Sequence, residues 1–165
     1  MFPEMRRKRQ LLSQEESIQI LTSRTSGVLA LLGENGYPYA VPLSYVYDNG
    51  VVYFHGAKAG HKIDAIRHCD RASFCVIDQD NIVPEEYTTY FRSVIAFGTI
   101  RILEDDAEKR RAIEALAKKY HPQDTAAHRT QAIDNEWAPL CMMTLSIEHL
   151  TGKEAIELVR AKAHS

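Results

Sequence analysis

The stretch YPYAVPLSYVYDNGVVYFHGAKAGHKIDAIR, Tyr37 to Arg67, decides how this chain folds. Asn35-Gly36 stands just before it, a dipeptide that accepts the positive φ angles of a tight hairpin turn. Tyr37 to Tyr47 is rich in aromatic and β-branched residues, which favour strand, while Pro38 and Pro42 forbid a regular central ladder. That run therefore belongs at a sheet edge or contains a bulge. Asp48-Asn49-Gly50 marks a second turn, and Val51 to His55 reads as a further strand. The loop Gly56 to Gly60 then leads into a helix over Lys62 to Cys69, where Ile63 and Ile66 share one face.

Reading backwards from this segment, Gly27 to Leu32 (GVLALL) is an apolar run of strand length. Ser13 and Glu16 form a capping-box pattern ahead of Ile18 and Leu21, which predicts a helix over Gln14 to Ser23. Reading forwards, Arg71 to Ile77 returns to strand, and polar Asp78 to Thr89, with Pro84, reads as a loop. Tyr90 to Leu103 is a long strand interrupted at Gly98, where a bulge or bend is expected. Asp105 to Tyr120 is a helix with capping chemistry at Asp105 and Glu108, and a shorter helix spans Thr125 to Ile133. Cys141 to Leu150 is the last core strand, and the tail Lys153 to Ser165 reads as partly helical. The early connections are too short for parallel crossovers, so the strands are mostly antiparallel. The expected fold is mainly β with flanking helices, and about six strands of this length can close a small barrel. One domain spans 1–165, with its core over about 12–150.

Composition narrows the function classes. Twenty basic against 22 acidic side chains leave a formal charge of −2, which lacks the basic footprint of a general nucleic-acid binder. The basic cluster Arg6 to Arg9 reads as a solvated arm. No run approaches the roughly 18 apolar residues that a membrane helix needs, and no apolar segment follows the charged N-terminus as a secretory signal requires. Cys69, Cys75 and Cys141 are odd in number and unpaired in spacing, which suits core thiols in a reducing, cytoplasmic compartment. His55, His61, His68, Cys69 and Cys75 lie near one another in sequence but lack a Cys-x-x-Cys or equivalent pair, so no metal site is expected.

The common nucleotide and catalytic motifs are missing: no GxxxxGK[ST], no GxGxxG, no HExxH and no GxSxG. The segment FHGAKAGHK, Phe54 to Lys62, carries the chemistry that remains. It runs from a strand end through Gly56 and Gly60 into the first turn of a helix, whose amides lack intrahelical partners. Lys58, His61 and Lys62 add cationic or hydrogen-bonding groups beside those amides. The segment suits an anion such as phosphate, and it also reads as a charged surface turn. Trp137, Tyr90 and Arg92 are open between lining a planar ligand and packing in the core.

These pieces, in this order, resemble the pyridoxamine 5′-phosphate oxidase-related FMN-binding split barrels, and within them the 5-nitroimidazole-resistance flavoproteins. The match rests on Tyr37 to Arg67 and on FRSVIAFGTIRILED, Phe91 to Asp105, followed by the helix ending KKYHP. The resemblance implies a six-stranded antiparallel split barrel that dimerises, with two FMN sites at the subunit interface. It implies that Val41, Pro42, Leu43 and Ser44 run along the isoalloxazine ring, with Phe54, His55 and Gly56 near it. Lys58, His61 and Lys62 would serve the phosphate, Ser93 and Val94 would contribute from a later strand, and Trp137 would neighbour the ring, from one chain or its partner. The full set of contacts that true oxidases make to pyridoxal phosphate does not map onto this chain, which argues against vitamin B6 oxidation.

On that resemblance the flavin carries the chemistry and no side chain need act as a nucleophile. Electrons would come from a reduced nicotinamide or a reductase and pass to a small planar acceptor such as a nitroimidazole. The competing expectation is a non-catalytic dimeric module that binds flavin or haem for storage or sensing.

Overall fold

Ser44 and Val46 are two residues apart, yet the strands they bound lie on opposite edges of one sheet. The structure, a computed structural model, describes residues 1–164. Ser165, the end of the expected helical tail, lies outside the described residues. Strand β1 covers Ser26–Leu32, β2 Pro38–Ser44, β3 Val46–Asp48 and β4 Val51–Ala57. Helix α2 (His61–His68) follows α1 (Gln14–Ser23) in the chain, and β5 (Arg71–Val83) and β6 (Thr88–Ile102) form a long hairpin. Helices α3 (Asp106–Tyr120) and α4 (Ala126–Glu136), strand β7 (Leu140–Glu154) and helix α5 (Ile156–Ala163) complete it.

The sheet is antiparallel with the order β2-β1-β5-β6-β7-β4-β3. Because one residue separates β2 from β3, the sheet must curl until its two edges approach. The edges come together without pairing, which leaves a split. Among the described residues the count is seven strands where six were expected, because the run Tyr37 to Tyr47 divides at Tyr45. Tyr45 is fully buried, and its hydroxyl donates to the Leu21 carbonyl at 2.7 Å. Burying that ring pulls the chain out of β2 and across to the other edge. Pro38 and Pro42 sit on β2, an edge strand, where a missing amide breaks no central ladder.

The expected loop Asp78 to Thr89 is instead the tip of the β5–β6 hairpin, with ladder pairs from Gln79↔Arg92 to Val83↔Thr88. Solvent reaches both faces there, so the residues lack the alternation that betrays a half-buried strand. A bulge between Ile77 and Gln79 frees Asp78 to meet Arg24 at 2.7 Å and Arg92 at 3.4 Å. Gly98 does mark a register shift in β6, and a Cβ there would lie 1.9 Å from the Ser146 carbonyl oxygen.

The barrel interior is filled by one cluster that includes Leu29, Phe54, Phe74, Val76, Ala96 and Leu145. A smaller cluster, Leu103, Ala112, Leu140 and Met142, fixes α3 to the outside of the sheet. The Ser13 capping box on α1 is formed in both directions, Glu16 N–H to Ser13 Oγ at 3.1 Å and Ser13 N–H to Glu16 Oε2 at 2.8 Å.

Candidate functional site

Strand alternation sorts the candidate residues onto two faces. One row of paired positions crosses the outer face of the sheet: Pro42, Val28, Cys75, Ile95 and Thr151. Ser44 lies two residues from Pro42, and Ser93 two from Ile95, so both share that outer face. Val41 and Leu43 turn inward and pack against the core cluster. Phe54 and Val94 are fully buried, Phe54 edge-on to Phe74 with ring centroids 5.0 Å apart. The expectation that Phe54 and Val94 lie against a cofactor therefore holds at most for their backbone. Period-two alternation commits both side chains to the core.

The two flanks of the split are free edges. Among the described residues β2 pairs only with β1, and β3 covers β4 only from Val51 to Tyr53. The outer edge of β4 from Phe54 to Ala57 thus has no strand partner among the described residues, and it faces β2 across the split. Unpaired amides and carbonyls line this opening, the groups that hydrogen-bond a planar heterocycle's rim.

At the end of β4 the charges gather. Gly56 pairs with Cys141, and a Cβ on Gly56 would stand 2.9 Å from Lys62 Nζ, so the missing side chain lets the ammonium lie over the strand. Gly60 caps α2 with φ 119°, and its surroundings are open. His61 stacks on Tyr39 with ring centroids 4.1 Å apart, which turns its ring toward β2 and the β1–β2 turn. Lys58 and Arg67 line a recess with Lys109 and Cys141. Lys58, Lys62 and Arg67 form no ion pair among the described residues. Burial pushes the Cys141 thiol up, against the pull of Lys109, Lys62, Lys58 and Arg67. These cations offer donors and positive charge to a phosphate group, and Glu104 and Asp106 border the same recess without forming an ion pair with Lys58, Lys62 or Arg67 among the described residues.

His55 lies on the opposite face of β4 from Phe54 and is half exposed. Partial burial and the nearby Lys62 ammonium hold its imidazole below the ordinary histidine value. Trp137 approaches the other candidates from the end of α4, since the Leu140 and Met142 it packs against pair with Ala57 and His55 of β4. It packs on the cluster formed by Leu103, Ala112, Leu140 and Met142, with Lys109 Nζ 4.2 Å and the Arg110 guanidinium 4.5 Å from its ring centre. Lys109 also donates to the Trp137 carbonyl at 3.0 Å.

Arg67, Lys109 and Cys141 join this region without having been singled out from sequence. Arg67 shares α2 with Lys62 and was open to local reading, whereas Lys109 and Cys141 depend on tertiary packing, the β4–β7 pairing of Gly56 with Cys141 spanning about half of the chain.

A curled antiparallel sheet with an unpaired split and helices outside it defines a split-barrel protein. The chain belongs to the pyridoxamine 5′-phosphate oxidase family, whose pattern residues 13–154 match. No curated protein matches its sequence closely enough to be counted as a relative. Among solved structures it is similar to an FAD-binding protein from Mesorhizobium loti, with 27% identity, TM-score 0.65, and 88% of this chain and 96% of that one covered. It also resembles a candidate 5-nitroimidazole antibiotic resistance protein from Bacteroides thetaiotaomicron, at 20% identity and TM-score 0.72, covering 87% of this chain and 85% of that one. A third likeness is to the FAD and haem binding protein of Mycobacterium smegmatis, at 23% identity and TM-score 0.71, covering 90% and 78%. Among the described residues, no helix is long and apolar enough to cross a membrane.

Proposed function

We propose that the chain is an FMN-binding flavoprotein that works as a homodimer and reduces a small planar acceptor such as a nitroimidazole. When bound, the flavin supplies the electron-carrying chemistry, drawing on a reduced nicotinamide or a reductase. The observation that carries this reading is the trio of unpaired cations, Lys58, Lys62 and Arg67, at the end of two free strand edges. Lys62 and Lys58 would hold the phosphate with the first-turn amides of α2 beside them, and His61, stacked on Tyr39, would contribute its backbone amide. The backbone at Val41 to Ser44 and at Phe54 to Gly56 would orient the ring, and neutral His55 would border it. FMN is favoured over FAD because there is one phosphate-sized cradle and no adenosine-binding fingerprint.

Support for the dimer comes from the outer face. Val28 and Ile95 are each 38% exposed and Ile77 62%, on the face that also carries Pro42, Ser44 and Ser93. An apolar patch of that kind marks an interaction surface. Pairing there would bring a second chain against the candidate residues, and Trp137 would neighbour the ring from one chain or its partner.

The test is the cofactor itself. The purified protein is expected to release FMN in near-stoichiometric amount, identified by mass. Anaerobic reduction with a nicotinamide, followed by reoxidation on adding a nitroimidazole, is the expected activity. Release of mainly FAD, a haem Soret band, or no affinity for added FMN overturns the assignment.

A further inference from the structure

A cleft of about 580 Å³ lies between β4 with the start of β7 and the helices α3 and α4, and it adjoins the candidate flavin site at His55 and Gly56. Its walls are mostly apolar and include Ile113, Ala117, Ala132, Ile133 and Leu140. That volume falls within the roughly 300–1,000 Å³ of small-molecule sites. One permanently charged cation lines it, Arg129 of α4.

Arg129 is under-satisfied. Its Nη1 is buried without a hydrogen-bond partner, and its Nη2 donates only to the Asp124 carbonyl, at a long 3.5 Å. Among the described residues no carboxylate lies within ion-pair distance of it. Asp124 also lines the cleft, but its carboxylate is taken by His128 Nδ1, at 2.9 and 3.0 Å. A guanidinium has five donors in a fixed fork, and leaving one buried and unpaired is costly. The guanidinium thus stands at the cleft wall with its charge uncompensated, and a carboxylate entering the cleft would supply the missing counter-charge.

We propose that this cleft binds an apolar carboxylic acid, its carboxylate on Arg129 and its hydrocarbon body among Ile113, Ala132 and Ile133. A single negative charge is specified because one arginine faces it while Asp124 and Glu136 also border the cleft, and a doubly charged phosphate would meet both. The inference goes beyond the flavin reading, and the two sites adjoin at His55 and Gly56, while the carboxylate's partner, Arg129, belongs to the cleft alone.

Calorimetric titration of the full chain, with whatever cofactor it carries, tests this with phenylbutyrate and its neutral amide. The acid is expected to bind at least about tenfold more tightly than the amide, the lower bound for a charge-assisted pair. R129Q should abolish that preference while leaving the amide's affinity unchanged. A132W, which fills the cleft and keeps the arginine, should weaken both ligands. Equal affinity for acid and amide in the unaltered protein, no binding of either, or a preference that survives in R129Q overturns the proposal. Flavin absorbance recorded on the same samples separates the two readings, since loss of flavin with the acid preference intact counts against the flavin alone.

Discussion

At the residue scale the phosphate assignment rests on Lys62. Its ammonium lies over Gly56 without an ion-pair partner among the described residues, so its charge is available to a ligand. Replacing it with alanine removes a charge-assisted hydrogen bond of about 1.5–3 kcal/mol. Affinity for FMN should then fall by about 10- to 150-fold. Riboflavin, which lacks the phosphate, should lose far less, and paired titrations of both ligands against K62A separate the outcomes. Equal weakening of both would mean that Lys62 acts through the ring or through structure. His55 makes a pH prediction. Its folded-state value is depressed, first by burial and then by Lys62, from the ordinary 6.5. The unfolded chain therefore binds the proton more readily, and the stability tied to a neutral His55 is present above that value and lost as pH falls through the window beneath it. Urea midpoints at about pH 7.5 and about pH 5.5 should drop more for the unaltered protein than for H55N. An equal drop in both would remove His55 from the acid response. The placement of Gly56, Lys58, Gly60, His61 and Lys62 was legible, because they fall in one short segment that needs only a strand end and a helix start. Which neighbours turn inward was not. The fates of Phe54 and Val94 depend on strand register, which no local motif encodes.

At the element scale, legibility follows the strength of local signals. The capping box at Ser13 and Glu16, the Asp105 cap and the turn at Asp48-Asn49-Gly50 are short-range chemistry, and each sits where the sequence places it. The tip of the β5–β6 hairpin is the failure. Ile82 is 70% and Tyr87 98% exposed, so apolar residues there carry no burial pattern, and the pairing is held by backbone ladder bonds with the Tyr90–Glu86 hydrogen bond at 2.9 Å. The division of Tyr37 to Tyr47 at Tyr45 is similar in kind, since the buried contact that causes it is made with Leu21 and Phe74, far away in sequence. The capping box yields a measurable consequence. Ser13→Ala leaves the Glu16 amide without its acceptor, and N-cap losses of this type cost about 1 kcal/mol. Helix α1 packs on β7 and contributes Ile20 and Leu21 to the core, so the loss should appear in global unfolding and not only as fraying. A lowered midpoint with unchanged denaturant slope is the expected result, and an unchanged midpoint would show that the cap is solvated at no cost.

At the scale of the whole molecule, the curl of the sheet and its apolar outer face answer the same constraint. A chain that crosses from one sheet edge to the other within a residue cannot lie flat, and a barrel this small leaves its candidate site as an open split instead of an enclosed pocket. Pro42, Ser44 and Ser93 stand on the outer face with Val28, Cys75 and Ile95, where one chain alone offers a ligand no opposing wall. A second copy related by a two-fold axis would supply it, the commonest closed arrangement for a homo-oligomer. The row's exposed members, Val28 and Ile95, would then be buried against their equivalents. Ile95→Glu places a carboxylate in that row and, across a two-fold axis, near its own copy, where like charges in a drying interface oppose association. Ile95 points away from the barrel interior, so the monomer's fold should tolerate the change. Light scattering should report twice the chain mass for the unaltered protein and a single chain mass for I95E, with FMN retention falling in the same samples because the second wall is lost. A variant that becomes monomeric yet keeps its FMN would separate the dimer from the cofactor site, and one that stays dimeric would move the interface to another face.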